Sequence, residues 1–377
     1  MGKKKSWLKV ILLLALIPAT TGFWEKKESY KIGFLGPLTG RQADLGVAGR
    51  NGAILAVEEI NKAGGIGGRP IELLVEDDRN DPREGEQAGT RLIKAGVLTV
   101  VGPMTSGIAE AVLPLMNREG LLLISPTVSA NSFSGKDDFL IRLTPPNFRN
   151  VQALARHALQ DQKTKTMAVV YDLANRAYAE EWANNFISLF TGLGGEIIQV
   201  REYRSEGVSL FEPLARELTA ARPEGILIVG NALDTALLCQ KLKAAGNKAL
   251  IYSSGWAMSP VFIQNSGRAG EGVIFFSAFD PGSTAERYLK FQKAYQGRFG
   301  ALPSFGAATA YEAVQLVRQA LSQLQEPNPR KIKSYLLARK RFPGLQGDFE
   351  LDTNGEARRS AVALIVSQGR FQSPPSK

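Results

Sequence analysis

The chain has 377 residues, one cysteine, one histidine and a formal net charge of +10. A lone cysteine, Cys239, excludes an intrachain disulfide, and any hydrolase triad, zinc site or histidine base would have to use His157 alone. Removing Lys3, Lys4, Lys5 and Lys9 leaves +6, with no basic run interleaved with aromatics after residue 30, so nucleic acid is not an expected partner.

From the N-terminus, three lysines precede the apolar run LKVILLLALIPA, the charge and length pattern of a secretory signal peptide over residues 1–22. About a dozen apolar residues fall short of the ~20 that span a bilayer. Export and cleavage near Ala19 or Gly22 are therefore expected over a retained anchor, and no cysteine follows to take a lipid. KIGFLG then reads as a short strand, PLTG breaks it, and a helix follows with Gly49, Gly52, Ala53, Ala56 and Ile60 on one face. Small residues there predict a helix axis lying close to a sheet, ended by the GGIGG turn at Gly64 to Gly68. PIELLVEDD is the next strand. Further strands are expected near Val97, Leu121 and Phe139, then near Met167, Ile197, Ile226, Leu250 and Val273, with helices between most of them. That alternation predicts parallel sheets covered by helices, and some 350 residues suit two domains better than one core.

Two segments read as domain crossings. LTPPN, Leu143 to Asn147, carries two prolines that forbid helix, and SAFDPGST, Ser277 to Thr284, separates a strand from the amphipathic helix AERYLKFQKAYQGRFG. The stretch FPGLQGDFELDTNGEARRSAVALIV reads as two strands about a DTNG turn. Periodicity alone permits either two consecutive domains or an interleaved pair.

Catalytic constellations are missing. GGIGG follows a helix and does not open one after a strand, so it is no phosphate loop. Asp77 and Asp78 are adjacent on a strand and point to opposite faces, which suits hydrogen bonding to loop backbone better than an acid/base dyad. Glu58 and Glu59 read as a solvated helix face, Cys239 as a buried inert thiol, and no cofactor or metal is expected. Two strand-to-helix loops carry hydroxyls. In VGPMTSG, Ser106 stands at or beside a helix N-cap, where capping and anion binding are both open. In ISPTVSANSF, Thr127 and Ser129 serve either turn hydrogen bonds or a ligand.

The order of strand, PLTG, a helix ending in EEIN, GGIGGRPIELL and a paired acid with NDP resembles periplasmic binding proteins of the branched-chain amino acid type, and the resemblance weakens toward Val366. It implies an α/β fold of two Rossmann-like lobes joined by a three-crossing hinge, the third crossing near Leu345 adding the two strands about the DTNG turn to the second lobe, with lobe 1 from 30–144 plus 282–344 and lobe 2 from 145–281 plus 345–370. It also implies an exported, periplasmic, non-enzymatic protein that closes on a small solute, an amino acid of the branched-chain class by default, and delivers it to the membrane subunits of an ABC permease. A ligand sensor with the same fold is the alternative. On the resemblance, Ser106 holds a ligand carboxylate and Thr127 and Ser129 complete the clamp, each charged hydrogen bond being worth roughly 1.5–3 kcal/mol. Tyr178 takes the place of an aromatic from the second lobe or packs in its core. Around Ser254 the chain reads YSSGWAMSP, with Gly255 and Trp256 where an acid for a ligand ammonium is expected; Trp256 either walls the cleft or packs. Leu45 replaces an aromatic of several relatives, Arg176 either pairs a second carboxylate or is solvated, and Phe305 either covers the ligand or packs.

Overall fold

A computed structural model describes residues 28–204 and 207–374; the expected signal peptide lies outside them. The first body runs β1 (Tyr30–Gly36), α1 (Ala43–Lys62), β2 (Ile71–Asp77), α2 (Pro82–Lys94), β3 (Val100–Val101), α3 (Ser106–Glu119), β4 (Leu123–Ser125) and β5 (Leu140–Arg142). The chain then builds α4 (Phe148–Arg156), β6 (Thr166–Asp172), α5 (Arg176–Gly192), β7 (Glu196–Tyr203), α6 (Phe211–Ala220), β8 (Gly225–Val229), α7 (Ala232–Ala244), β9 (Leu250–Ser254), α8 (Pro260–Ser266) and β10 (Ile274–Ser277). It returns through α9 (Glu286–Phe299), α10 (Phe305–Gln323) and α11 (Pro329–Arg339). It ends with β11 (Arg341–Phe342), β12 (Phe349–Leu351), β13 (Ala357–Arg358), β14 (Val362–Ser367) and β15 (Arg370–Gln372).

Two large sheets result, one per lobe, beside a small three-stranded one. The first is all parallel with strand order β2-β1-β3-β4-β5. The second runs β7-β6-β8-β9-β10 in parallel, then adds β14 and β15 antiparallel at its far edge. Both parallel parts thus have the doubly wound order second-first-third-fourth-fifth, which opens a crevice beyond the carboxyl ends of the first and third strands. Central strands such as β8, GILIV, are buried at every residue because helices cover both faces, so they read as unbroken apolar runs. β7 instead alternates exposed and half-buried residues and carries Glu196, Arg201 and Glu202 along an open edge.

The small-residue face of α1 lies on the sheet as its pattern suggested, a Cβ on Gly49 standing 3.4 Å from the Phe34 ring of β1, and it has a second partner at its side. α10 packs along it, and a Cβ on Gly52 would stand 2.1 Å from the carbonyl oxygen of Ala307, so glycine is required for the helices to touch there. The GGIGG turn ends α1, with positive φ at Gly64, Gly65, Gly67 and Gly68. Because α9 and α10 lie against α1, residues 286–323 complete the first lobe.

The C-terminal strands depart from the expected hinge. β12 and β13 do flank the DTNG turn, where the Asp352 carboxylate accepts the Asn354 and Glu356 N–H groups at 2.9 and 3.0 Å. They pair with β11 in a three-stranded sheet of their own, however, and do not join the second sheet. The reason is electrostatic: Arg142, at the edge of the first sheet and 1% exposed, reaches the Glu356 carboxylate at 2.6 Å, and its N–H donates to Gly355 O at 2.9 Å. The chain therefore passes to the second sheet between Arg358 and Val362, after the crossing expected near Leu345. No helix among the described residues is long and apolar enough to cross a membrane.

Candidate functional site

The loops at the carboxyl ends of both sheets face one another. Ser106, Thr127, Ser129 and Leu45 from the first lobe, and Tyr178 and Trp256 from the second, all line one cavity, with Phe305 beside them. Its volume is about 60 Å³, against the ~10–15 Å³ that one water needs.

In the first lobe the cavity wall is built by internal hydrogen bonds. Ser125 Oγ donates to Pro103 O at 2.7 Å and accepts the Val128 N–H at 3.0 Å, which folds the β4 loop back over the β3 loop. Thr127 Oγ1 donates to Met104 O in the same seam, so this hydroxyl is already committed to the turn. Ser106 is the first residue of α3 and 2% exposed. It does not cap its own helix; its Oγ accepts the Ala130 N–H at 3.4 Å. Ser129 receives the Asn147 N–H on its carbonyl at 2.9 Å and turns its residue into the cavity wall. Phe305 opens α10 as Ser106 opens α3, and neither helix carries an acid in its first turn. Both helix N-termini therefore present the positive end of a helix dipole.

The second lobe contributes rings and an amide. Tyr178 sits in the first turn of α5, which also lacks an acid there, and packs edge-on against Trp256 with ring centroids 5.5 Å apart. Burial pushes the Tyr178 phenol well above its usual range, so it is a neutral group at physiological pH. Trp256 lies in the short turn Gly255–Ala257 after β9. Arg176 turns away: its side chain is 68% exposed and pairs with Glu180 at 2.8 Å. Asn147 and Asn150, on the segment that leaves the first lobe, and Asn175, just before α5, complete the amide content of the wall.

Contacts across the cleft hold the lobes together. Asn175 Oδ1 accepts the Gly107 N–H at 3.0 Å, so the second lobe caps α3 of the first. Asn80 Nδ2 donates to Ala174 O at 2.8 Å, and the Glu181 carboxylate accepts the Asn131 and Ser132 N–H groups at 2.6 and 2.9 Å. Arg41 forms an ion pair with the buried Asp234, and Ser259 Oγ donates to Asp44 at 3.2 Å. Desolvation raises the Asp44 carboxyl to about 6, helped by the nearby Asp234.

The hinge forms the remaining wall. Arg359, on the last crossing, donates to Leu143 O on the first at 3.1 Å and to the Glu312 carboxylate on α10 at 2.5 Å; Glu312 also accepts the Leu345 N–H at 2.6 Å. Gln346 exchanges two hydrogen bonds with Asp280 on the second crossing, at 3.0 and 2.6 Å. One buried ion pair and one amide thus tie the crossings together.

The other groups weighed from the sequence lie outside the cavity. His157 packs against Phe276 and bonds Asp161 at 2.9 Å. The Asp77 carboxylate accepts the Leu38 and Arg79 N–H groups at 2.7 and 2.9 Å, and Asp78 that of Asn80 at 2.8 Å, so both acids serve loop backbone. Glu58 and Glu59 are exposed and bridge to Arg298 and Tyr311, which fastens α9 and α10 to α1. Cys239 is fully buried with its thiol pushed up to about 12. Reading the sequence passed over Thr144, Asn147, Asn175, Ser277 and Phe279. Four of these sit in or beside the two segments recognised as crossings, and the signal was that a crossing between lobes is also a wall of the cleft between them.

Comparison with known proteins follows the same lines. Residues 29–369 match the family model described as periplasmic binding protein. Leu/Ile/Val-binding protein homolog 3 of Brucella melitensis is 29% identical over 265 residues, 70% of this chain and 71% of that protein. Among solved structures, the branched-chain amino acid transporter substrate-binding protein LivJ of Streptococcus pneumoniae, in complex with isoleucine, superposes with a TM-score of 0.84 at 26% identity. It covers 92% of this chain and 98% of its own. A solute-binding protein of an ABC transporter from R. palustris, in complex with benzoate, has a TM-score of 0.82 at 20% identity over 92% and 95% of the two chains.

Proposed function

This chain belongs to the periplasmic binding protein family, a family of solute-binding proteins and not of enzymes, and we propose that it captures a small carboxylate-bearing solute between its lobes for delivery to an ABC permease. Residues 1–22 act as the export signal, which places the protein outside the cytoplasm. Lobe 1 comprises residues 30–144 with 282–358, and lobe 2 the remainder to about residue 370.

The observation that carries this reading is convergence: Ser106 and Ser129 from one lobe and Tyr178 and Trp256 from the other line a single cavity at the crevice where doubly wound sheets hold ligands. The N-termini of α3, α5 and α10 border it, and a carboxylate is favoured at each. A ligand touching both walls stabilises the closed form over any open one, by as much as its contacts differ between the two. Isoleucine in LivJ and benzoate in the R. palustris protein are both carboxylates held by relatives of this fold.

Mass spectrometry of solute released when the purified protein is denatured, with a thermal-shift screen of carboxylates, identifies the ligand; saturation raises Tm as RT ln(1 + [L]/Kd) grows. Small-angle scattering then tests closure. The radius of gyration falls at saturation if the lobes close on the solute, and an unchanged profile removes hinge closure.

A further inference from the structure

The charge content of the cavity wall narrows the solute beyond its carboxylate. Apart from the neutral Tyr178 phenol, only Glu312 and Arg359 are ionisable among the lining residues. These two neutralise one another, and both Glu312 oxygens are engaged, one by Arg359 and the other by the Leu345 N–H. The Arg359 guanidinium also donates to Leu143 O and lies 4.1 Å from the centre of the Phe349 ring, so the pair is fastened on every side as part of the hinge. The cross-lobe acids lie outside the lining and have donors of their own: Asp44 has Ser259, Asp234 has Arg41, and Glu181 has two backbone N–H groups.

Beyond the Glu312 carboxylate, which Arg359 already neutralises, an ammonium in this cavity would meet neutral oxygens only. Hydroxyls, amides and carbonyls accept its hydrogen bonds but do not cancel its charge, and a buried charge without a counter-charge is strongly disfavoured. Three helix N-termini free of acids in their first turns add to the penalty for a cation, while they favour an anion. Asn147 points the same way. It lines the cavity, is 2% exposed, and its amide nitrogen has no acceptor among the described residues, which suits a second oxygen on the solute. Around these polar groups the wall is apolar, with the Tyr178–Trp256 pair, Leu45, Phe279 and Phe305.

Resting on the reading of the cavity as a carboxylate site, we infer that the solute is a monocarboxylate without an ammonium group, bearing a branched or aromatic body and an oxo or hydroxyl oxygen where an amino acid carries nitrogen. The protein thereby rejects α-amino acids in favour of their deaminated counterparts.

Calorimetric titration of the full chain at pH 7.5 with two matched pairs tests this: leucine against 4-methyl-2-oxopentanoate, and phenylalanine against phenylpyruvate. The expected result is that at least one oxo acid binds ~100-fold or more tightly than its amino acid, tenfold corresponding to about 1.4 kcal/mol. An amino acid that binds as tightly as its oxo acid, or more tightly, overturns the inference and leaves the carboxylate reading standing. The amides of the two oxo acids separate the failures. If an amide matches its acid, or if no carboxylate in the panel binds, the carboxylate reading falls and the inference with it.

Discussion

The two lobes share a strand order and differ in what they place at the strand ends. In lobe 1 the loops after β3 and β4 are stitched to each other by Ser125 and Thr127, and they present Ser106 and Ser129 at a helix N-terminus. In lobe 2 the corresponding ends present Tyr178 against Trp256, with Asn175 reaching back to cap α3. One topology thus carries two kinds of wall, hydroxyls and N–H groups on one side, rings and an amide on the other. The difference teaches that the sheet fixes where a ligand sits and that short loops decide what each side can offer it. In the proposed division, lobe 1 anchors the carboxylate and lobe 2 reads the body.

Acidity should separate the lobes most sharply. Asp78 of lobe 1 is fully buried, one of its oxygens has no partner, and burial raises its carboxyl to about 7. The buried Asp172 and Asp234 of lobe 2 have donors in Ala174 and Arg41. Between the unfolded value near 4 and about 7, folded Asp78 keeps a proton that the unfolded chain releases, so stability is highest at the acid end and falls as pH rises through that window. The loss amounts to up to about 4 kcal/mol, with Asp44 adding the same sign. Urea unfolding at pH 5 and pH 8 reads the part of it above pH 5, about 3 kcal/mol, and Asp78→Asn, which mimics the protonated acid, should flatten most of the difference.

The remaining predictions press on the cleft. Trp256→Ala removes the largest ring of the lobe 2 wall and should weaken solute binding by about 2–3 kcal/mol, or ~30- to 150-fold by calorimetry. An equal loss for a small carboxylate such as acetate would mean that lobe 2 does not read the body. Ser106→Ala should cost about 2 kcal/mol of binding. Its hydroxyl has one long internal hydrogen bond, so the Tm of the ligand-free protein should hardly move. A large drop in that Tm with binding intact would make Ser106 a structural residue and erase the contrast. Smallest is Glu181→Gln, which weakens the two N–H contacts across the cleft. About 1 kcal/mol of closure should be lost, seen as faster solute release with an unchanged association rate.

Much of the scaffold was legible in the sequence. Ten strands were placed by apolar runs between turn signals, because strands buried on both faces have little polarity to hide. The crossings at Leu143 and Ser277 were marked by prolines and glycine. The third was misplaced, since the DTNG turn identifies a hairpin without saying which sheet will claim it; Arg142, over two hundred residues away, holds it through Glu356. The small face of α1 was read as a close-packing surface against the sheet, which Gly49 meets at Phe34 of β1; its second partner, α10 at Gly52, was not legible, because a glycine records only that something approaches closely.

The sequence by itself determined the parallel α/β architecture, the interleaved lobes implied by its family likeness, and six candidate residues that share one cavity. The first rests on local rules, since periodicity and turn chemistry act over a few residues and survive without coordinates; the lobes and the choice of residues rest on the family likeness. Only the tertiary structure decided that Arg176 faces solvent, that Asn147 and Asn175 join the wall, and that the acids nearest the cleft are engaged elsewhere. A charge can be counted along a chain, but whether it is free is settled by partners brought from distant segments, and the polarity of a binding cavity is the sum of those pairings.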